Sequence, residues 1–138
     1  MFKLNTYRFL FHNARVRLDI TYVFEGGNMA KKVIVKNGKI MDRSKQVGMI
    51  KKNCIYNRNS ANSSYLIAMT KNNVIYSKNS ANSSYCIGMV KNGIIYNKNS
   101  ANSSYKVGTR KDAEKVISGH SSEAELGAIY ILMKSGKI

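Results

Sequence analysis

Asn59-Ser60-Ala61-Asn62-Ser63-Ser64-Tyr65 recurs letter for letter at residues 79–85 and again at residues 99–105. The step is twenty residues each time. A unit this short cannot bury an apolar face alone, so tandem copies must pack on one another. Between two of these segments lies Tyr85-Cys86-Ile87-Gly88-Met89-Val90. Strict alternation puts Tyr85, Ile87 and Met89 on one face and Cys86, Gly88 and Val90 on the other. Lys91-Asn92-Gly93 follows, and Asn-Gly is the strongest two-residue hairpin signal because both positions tolerate positive φ. Ile94-Ile95-Tyr96 returns as a second strand. The Asn/Ser segment then turns the chain, because these side chains bond their own backbone.

The other copies fit the same plan. Tyr65, Ile67 and Met69 lead to Asn72-Asn73 and Val74-Ile75-Tyr76, and Val47, Met49 and Ile50 lead to Lys52-Asn53 and Cys54-Ile55-Tyr56. A shorter first copy runs from Val33 through Asn37-Gly38 to Arg43 and omits most of the polar segment. Gly48, Ala68, Gly88 and Gly108 are equivalent, a small residue where a neighbour comes close. Residues 111–117 have room for a degenerate last hairpin. Ser122 with Glu125 three residues on forms a capping-box signal, and Leu126, Ala128, Ile129, Ile131, Leu132 and Met133 make a helix apolar nearly all round. The expectation is a mainly β domain: a pseudo-four-fold array of β-hairpin repeats of about 20 residues, closed by a C-terminal apolar α-helix. The repeats fall at about 33–47, 48–67, 68–87 and 88–107, and the helix at about 122–134, in one domain of residues 29–138.

Residues 1–28 share nothing with the repeats. Glu25-Gly26-Gly27-Asn28 precedes Met29, and Glu-Gly-Gly can be encoded by a purine run of the GGAGG kind, which is a bacterial ribosome-binding site. The expectation is a non-native or disordered N-terminal extension, with the true start at Met29. The alternative is an extra strand pair, residues 7–11 with 20–24.

The formal charge is +16 over 138 residues. Heavy use of Lys, Asn and Ile is also what AT-rich coding DNA produces. No apolar run is long enough for a membrane span, and Arg8, His12, Arg15 and Arg17 interrupt any secretory signal. Cys54 aligns with Val74 and Ile94, whereas Cys86 aligns with Leu66 and Lys106. Unrelated positions point to reduced thiols and a cytoplasmic protein.

Chemistry is sparse in the sequence. No carboxylate or cysteine has metal-ligand spacing around His12 or His120, and His120 reads as a solvated loop residue. Glu123 and Glu125 are accounted for by the helix start, and Asp42, Asp112 and Glu114 form no acid–base pair. No serine lies in a nucleophile elbow. The expectation is no enzyme activity, no metal and no cofactor. Asn62-Ser63-Ser64 and its copies fit the N-glycosylation sequon, which without a signal peptide is chance in a polar turn.

Ile55-Tyr56-Asn57-Arg58-Asn59, Ile75-Tyr76-Ser77-Lys78-Asn79 and Ile95-Tyr96-Asn97-Lys98-Asn99 resemble the repeats of the bacterial 4-fold β-flower family. The pairs Val47-Gly48, Ile87-Gly88 and Val107-Gly108, and the apolar helix at residues 124–133, extend the resemblance over residues 31–135. The inserted Ser-Ala-Asn-Ser-Ser departs from that family's tighter turn. The resemblance implies a fold and carries over no catalytic residues.

Two binding readings remain, with the partner unknown. Three identical polar loops form a candidate rim for a glycan or protein ligand: Asn62, Ser64 and Tyr65, Asn82, Ser84 and Tyr85, Asn102, Ser104 and Tyr105. Accident of duplication is the alternative account of their identity. Equivalent cations at Lys51, Lys71 and Lys91, and at Arg58, Lys78 and Lys98, are candidate polyanion contacts. With Tyr56, Tyr76 and Tyr96 nearby they suggest nucleic-acid binding through a basic hairpin surface. The plain alternative is a solvated basic surface over a tyrosine core.

Overall fold

The computed structural model describes residues 2–10, 17–25, 28–30, 32–120 and 122–138. They fall into two units, Met1–Lys31 and Lys32–Ile138. In the first unit, β1 (Phe2–Leu10) pairs antiparallel with β2 (Arg17–Glu25), Tyr7 opposite Ile20, and β2 pairs with β3 (Asn28–Ala30). Phe11, Gly26 and Gly27, which belong to the strand-pair and translation-start readings, lie outside the described residues, as does His12.

The second unit holds the repeats. Its hairpins are β4 (Val33–Lys36) with β5 (Lys39–Asp42), β6 (Lys45–Lys51) with β7 (Cys54–Tyr56), β8 (Leu66–Lys71) with β9 (Val74–Tyr76), and β10 (Cys86–Lys91) with β11 (Ile94–Tyr96). The two central residues of each tip carry positive φ: Asn37 and Gly38, Lys52 and Asn53, Asn72 and Asn73, Asn92 and Gly93. That turn matches the right-handed twist of the flanking strands. The first three tips also hold the next hairpin, and the fourth holds the segment that follows the last loop. The carbonyls of Gly38, Asn53, Asn73 and Gly93 accept from the N–H groups of Ile50, Thr70, Val90 and Arg110 at 2.7–2.9 Å.

Next come β12 (Lys106–Thr109), a one-turn helix α1 (Arg110–Glu114) and β13 (Ile117–Ser118). The degenerate hairpin expected at residues 111–117 is therefore a helix followed by a strand. Thr109 Oγ1 accepts from the Asp112 N–H at 3.2 Å, and Asp112 Oδ2 accepts from the Thr109 N–H at 3.0 Å. This reciprocal capping box starts a helix, and the segment contains no turn dipeptide to oppose it.

All ten strands of this unit form one sheet, in the order β12-β11-β10-β9-β8-β7-β6-β5-β4-β13. β13 pairs parallel with β4, so the edge strands β12 and β13 are only eight residues apart in sequence. Ten strands laid flat span ~43 Å, whereas eight extended residues reach ~28 Å at most. The sheet must curl until its edges approach.

Inside the curl runs α2 (Glu123–Lys134), started by Ser122, whose Oγ accepts from the Glu125 N–H at 3.1 Å. Leu126, Gly127, Ala128, Ile129 and Tyr130 are all buried. Five successive residues at 100° each cover every side of a helix, so α2 is enclosed all round. Ile40, Ile55, Ile75 and Ile95 are the fully buried residues that β5, β7, β9 and β11 contribute. Each such side chain contributes ~1.5–3 kcal/mol by leaving water. The helix comes close enough to the sheet to need glycine. A Cβ on Gly108 would sit 2.7 Å from the Tyr130 ring, and one on Gly127 would strike Val90.

Strict alternation fails at one place in each repeat. Ile40 faces Gly48 but Met41 faces Gln46; Ile55 faces Ala68 but Tyr56 faces Leu66. Ile75 and Tyr76 face Gly88 and Cys86, and Ile95 and Tyr96 face Gly108 and Lys106. Val47, Ile67, Ile87 and Val107 are thus the extra residues of β-bulges. The bulge at Ile87 sends Cys86 to the face opposite Gly88, which corrects the single-face reading of Cys86, Gly88 and Val90. Cys54, Met69, Tyr76 and Cys86 are consecutive cross-strand partners in one row on the outer face. Both cysteines are free thiols.

Two changes test this packing. Lys52 holds φ +50°, a conformation that its equivalents Asn37, Asn72 and Asn92 adopt more cheaply. Lys52→Asn is expected to stabilise the fold by ~0.5–1 kcal/mol, read as an increase of a few degrees in thermal midpoint. Ile75→Ala empties space against α2, and urea unfolding should show a loss of ~2–5 kcal/mol.

Candidate binding rim

The strands have two ends. One carries the hairpin tips, and the other carries the three long loops at residues 57–65, 77–85 and 97–105. Each loop folds the same way. A single 3₁₀ turn closes it at Ser63–Tyr65, Ser83–Tyr85 and Ser103–Tyr105. Asn62 Oδ1 accepts from the Ser64 N–H at 3.0 Å and from Ser64 Oγ at 2.9 Å. Asn82 with Ser84, and Asn102 with Ser104, repeat both distances. The tyrosine carbonyls of residues 65, 85 and 105 accept from the N–H groups of Asn57, Ser77 and Asn97 at 2.8–2.9 Å, pinching each loop at its base.

The tyrosines anchor the loops. Tyr65 and Tyr85, with Leu66 and Cys86, pack against the buried outer cluster of Cys54, Tyr56, Met69 and Tyr76. Asn79 Oδ1 accepts from the Cys54 thiol at 3.7 Å, a weak contact that ties one loop to an earlier strand. Burial first, and the neighbouring Cys54 second, raise the Tyr56 phenol above its ordinary pKa. It therefore stays protonated at neutral pH and supplies no base.

The cations separate into two groups. Arg58, Lys78 and Lys98 lie on the loop rim, each over the ring that ends its own loop. Arg58 Cζ is 4.9 Å from the Tyr65 centroid, Lys78 Nζ 5.0 Å from Tyr85, and Lys98 Nζ 4.8 Å from Tyr105. At exposed sites such a contact contributes ~0.5–1 kcal/mol. Lys51, Lys71 and Lys91 end β6, β8 and β10 beside the tips, at the far end of the strands. The two sets do not form one surface. Tyr56, Tyr76 and Tyr96, read from sequence as possible neighbours of these cations, are buried. The true partners lie seven residues on in each copy, Arg58 with Tyr65, Lys78 with Tyr85 and Lys98 with Tyr105, a regular spacing that the sequence carries but that the grouping with Tyr56, Tyr76 and Tyr96 passes over.

The acids also separate by end. Arg110 bonds Glu114 at 2.6 Å and Glu123 at 2.9 Å, joining α1 to the start of α2. Ser122 and Glu125 share a cleft with the tip residue Asn53. Four of the five acids after Lys31, namely Asp112, Glu114, Glu123 and Glu125, therefore lie at the tip end. Asp42 is the one beside the β5–β6 turn, on the loop side. Lys134, over the Tyr130 ring at 5.1 Å, adds a cation where α2 ends.

His120 is partly buried, and its Nδ1 is enclosed without a hydrogen-bond partner. The reading of His120 as a solvated loop residue is thereby corrected; beside it the backbone at Gly119 runs so close to Val35 that an added Cβ would strike the Val35 carbonyl. Among the described residues, no group of three His, Cys, Asp or Glu side chains is placed to hold a metal ion. No helix among them is long and apolar enough to cross a membrane.

Asn82→Ala removes the acceptor of two hydrogen bonds and should loosen one loop alone. Amide exchange at Ser84 is expected to speed up several-fold, equivalent to ~1 kcal/mol, while Ser64 and Ser104 keep wild-type rates. Comparison with protein-family models, curated proteins and solved structures finds no match to this chain.

Proposed function

We propose that this protein is a non-catalytic binding module whose working surface is the rim of three loops. The observation that supports it is their congruence. Three separate segments repeat one hydrogen-bond pattern and one cation–ring contact to within 0.2 Å. Linkers do not need internal order, whereas a rim that engages one ligand at several points does. The exposed Asn and Ser side chains offer both donors and acceptors to a glycan or protein. The 4-fold β-flower resemblance is compatible with this reading, since it implies a fold and carries over no catalytic residues. The two free thiols favour a cytoplasmic setting.

Electrostatic nucleic-acid binding is the second reading, supported by the +16 charge and by Lys51, Lys71 and Lys91 near the tips. Four acids share that end of the strands and weaken the field there.

Loop replacement tests the first reading. Residues 59–64, 79–84 and 99–104 are exchanged for Gly/Ser segments, and wild type and variant are compared on a glycan array. Ligand capture by wild type and loss of capture by a still-folded variant are expected. Equal capture by both reduces the loops to linkers.

A further inference from the structure

The loop rim carries a more specific inference, which rests on the binding reading above. Equivalent loops are two strands apart, and strand spacing sets them ~10 Å from one another along the sheet. At each step the rim offers the same pair of features. One is an exposed cation held over a tyrosine: Arg58 on Tyr65, Lys78 on Tyr85, Lys98 on Tyr105. The other is a patch of exposed amide and hydroxyl groups from Asn59, Asn62 and Ser63 and their copies. The cation is pre-positioned by its ring, so less side-chain freedom is lost when an anion binds.

The rings decide against a stacked base. Tyr65 and Tyr85 pack against the outer apolar cluster and carry a cation on the ring as well. Recognition of single-stranded nucleic acid depends on open aromatic faces, and these faces are in use. Sugar hydroxyls, by contrast, need many small polar partners, and a polysaccharide with an acidic group at each repeat also needs cations at a regular step. We propose that the rim binds a linear acidic polysaccharide along its length, one acidic group to each of Arg58, Lys78 and Lys98, with the neutral sugars between them on the Asn/Ser patches.

The test uses the full chain and hyaluronan oligosaccharides, which carry one carboxylate per disaccharide. Neutral dextran and oligo(dT) serve as comparison probes. Binding is measured calorimetrically at low salt. Three loops span ~20 Å, so affinity should rise at least ~10-fold once the oligosaccharide reaches all three. Replacing Arg58, Lys78 and Lys98 together by Ser should weaken it at least ~10-fold, and replacing Lys51, Lys71 and Lys91 by Ser, which removes equal charge, no more than ~3-fold. Circular dichroism checks that both variants are folded. Equal losses in the two variants would reduce the effect to net charge and overturn the proposal. Tighter binding of oligo(dT) than of hyaluronan would assign the surface to nucleic acid instead. Absence of hyaluronan binding, or no dependence on length, also overturns it. If hyaluronan fails while loop replacement still abolishes capture of another glycan, only the ligand class falls. If loop replacement changes nothing, the rim falls with it.

Discussion

One extra residue in each bulged strand governs the curl of the ten-stranded sheet in the repeat unit. Val47, Ile67, Ile87 and Val107 have no partner of their own across the sheet. A bulge bends its strand and increases local twist. Four bulges at equivalent positions therefore bend the sheet in the same sense, again and again. The accumulated curvature brings β12 near β13, and leaves room inside for one helix. It also divides each strand into two parts with opposite facing. Beyond the bulge toward the tip, Gly or Ala and then Ile, Thr or Val turn inward. Before it, Leu66 and Cys86 turn outward and meet the tyrosines that end the loops.

Much of this was readable. Asn-Gly and Asn-Asn at the tips, the isoleucines at a fixed step, and the Ser122 start of α2 each have a local physical cause, and local causes survive in sequence. The bulge was not readable, because period-two reasoning assumes constant register, and nothing in Ile87-Gly88 alone declares a slip. The Val/Ile-Gly pair stands out as a motif, but its reason is visible only in the sheet: the first residue is the bulge and the second must be small against the curl. α1 was missed because Asp112 stands where a capping box more often has Glu. The site suffered from the same limit. Sequence equivalence grouped six cations, and only the topology assigns three to each end.

The polar loops gain meaning from what lies beneath them. Their backbones are fixed by their own asparagines, yet their bases rest on Tyr65 and Tyr85, which belong to an apolar cluster on the outer face of the sheet. That cluster also holds both thiols. The loops are thus attached by side chains to the sheet's outside, while the helix holds the inside. The two faces serve separate purposes: α2 secures the fold, and the outer cluster fixes the rim.

The enclosed helix has a consequence for biogenesis. α2 follows every repeat in the chain, so a ribosome releases all the hairpins before the segment that fills them. Until then Ile40, Ile55, Ile75 and Ile95 line an open trough. Each nascent hairpin can find its neighbour, because the tip latches run from one unit to the next. None can bury its inner face. Completion of the core is postponed to the arrival of about a dozen residues, and until then the apolar inner face of the sheet is open to contact with other chains.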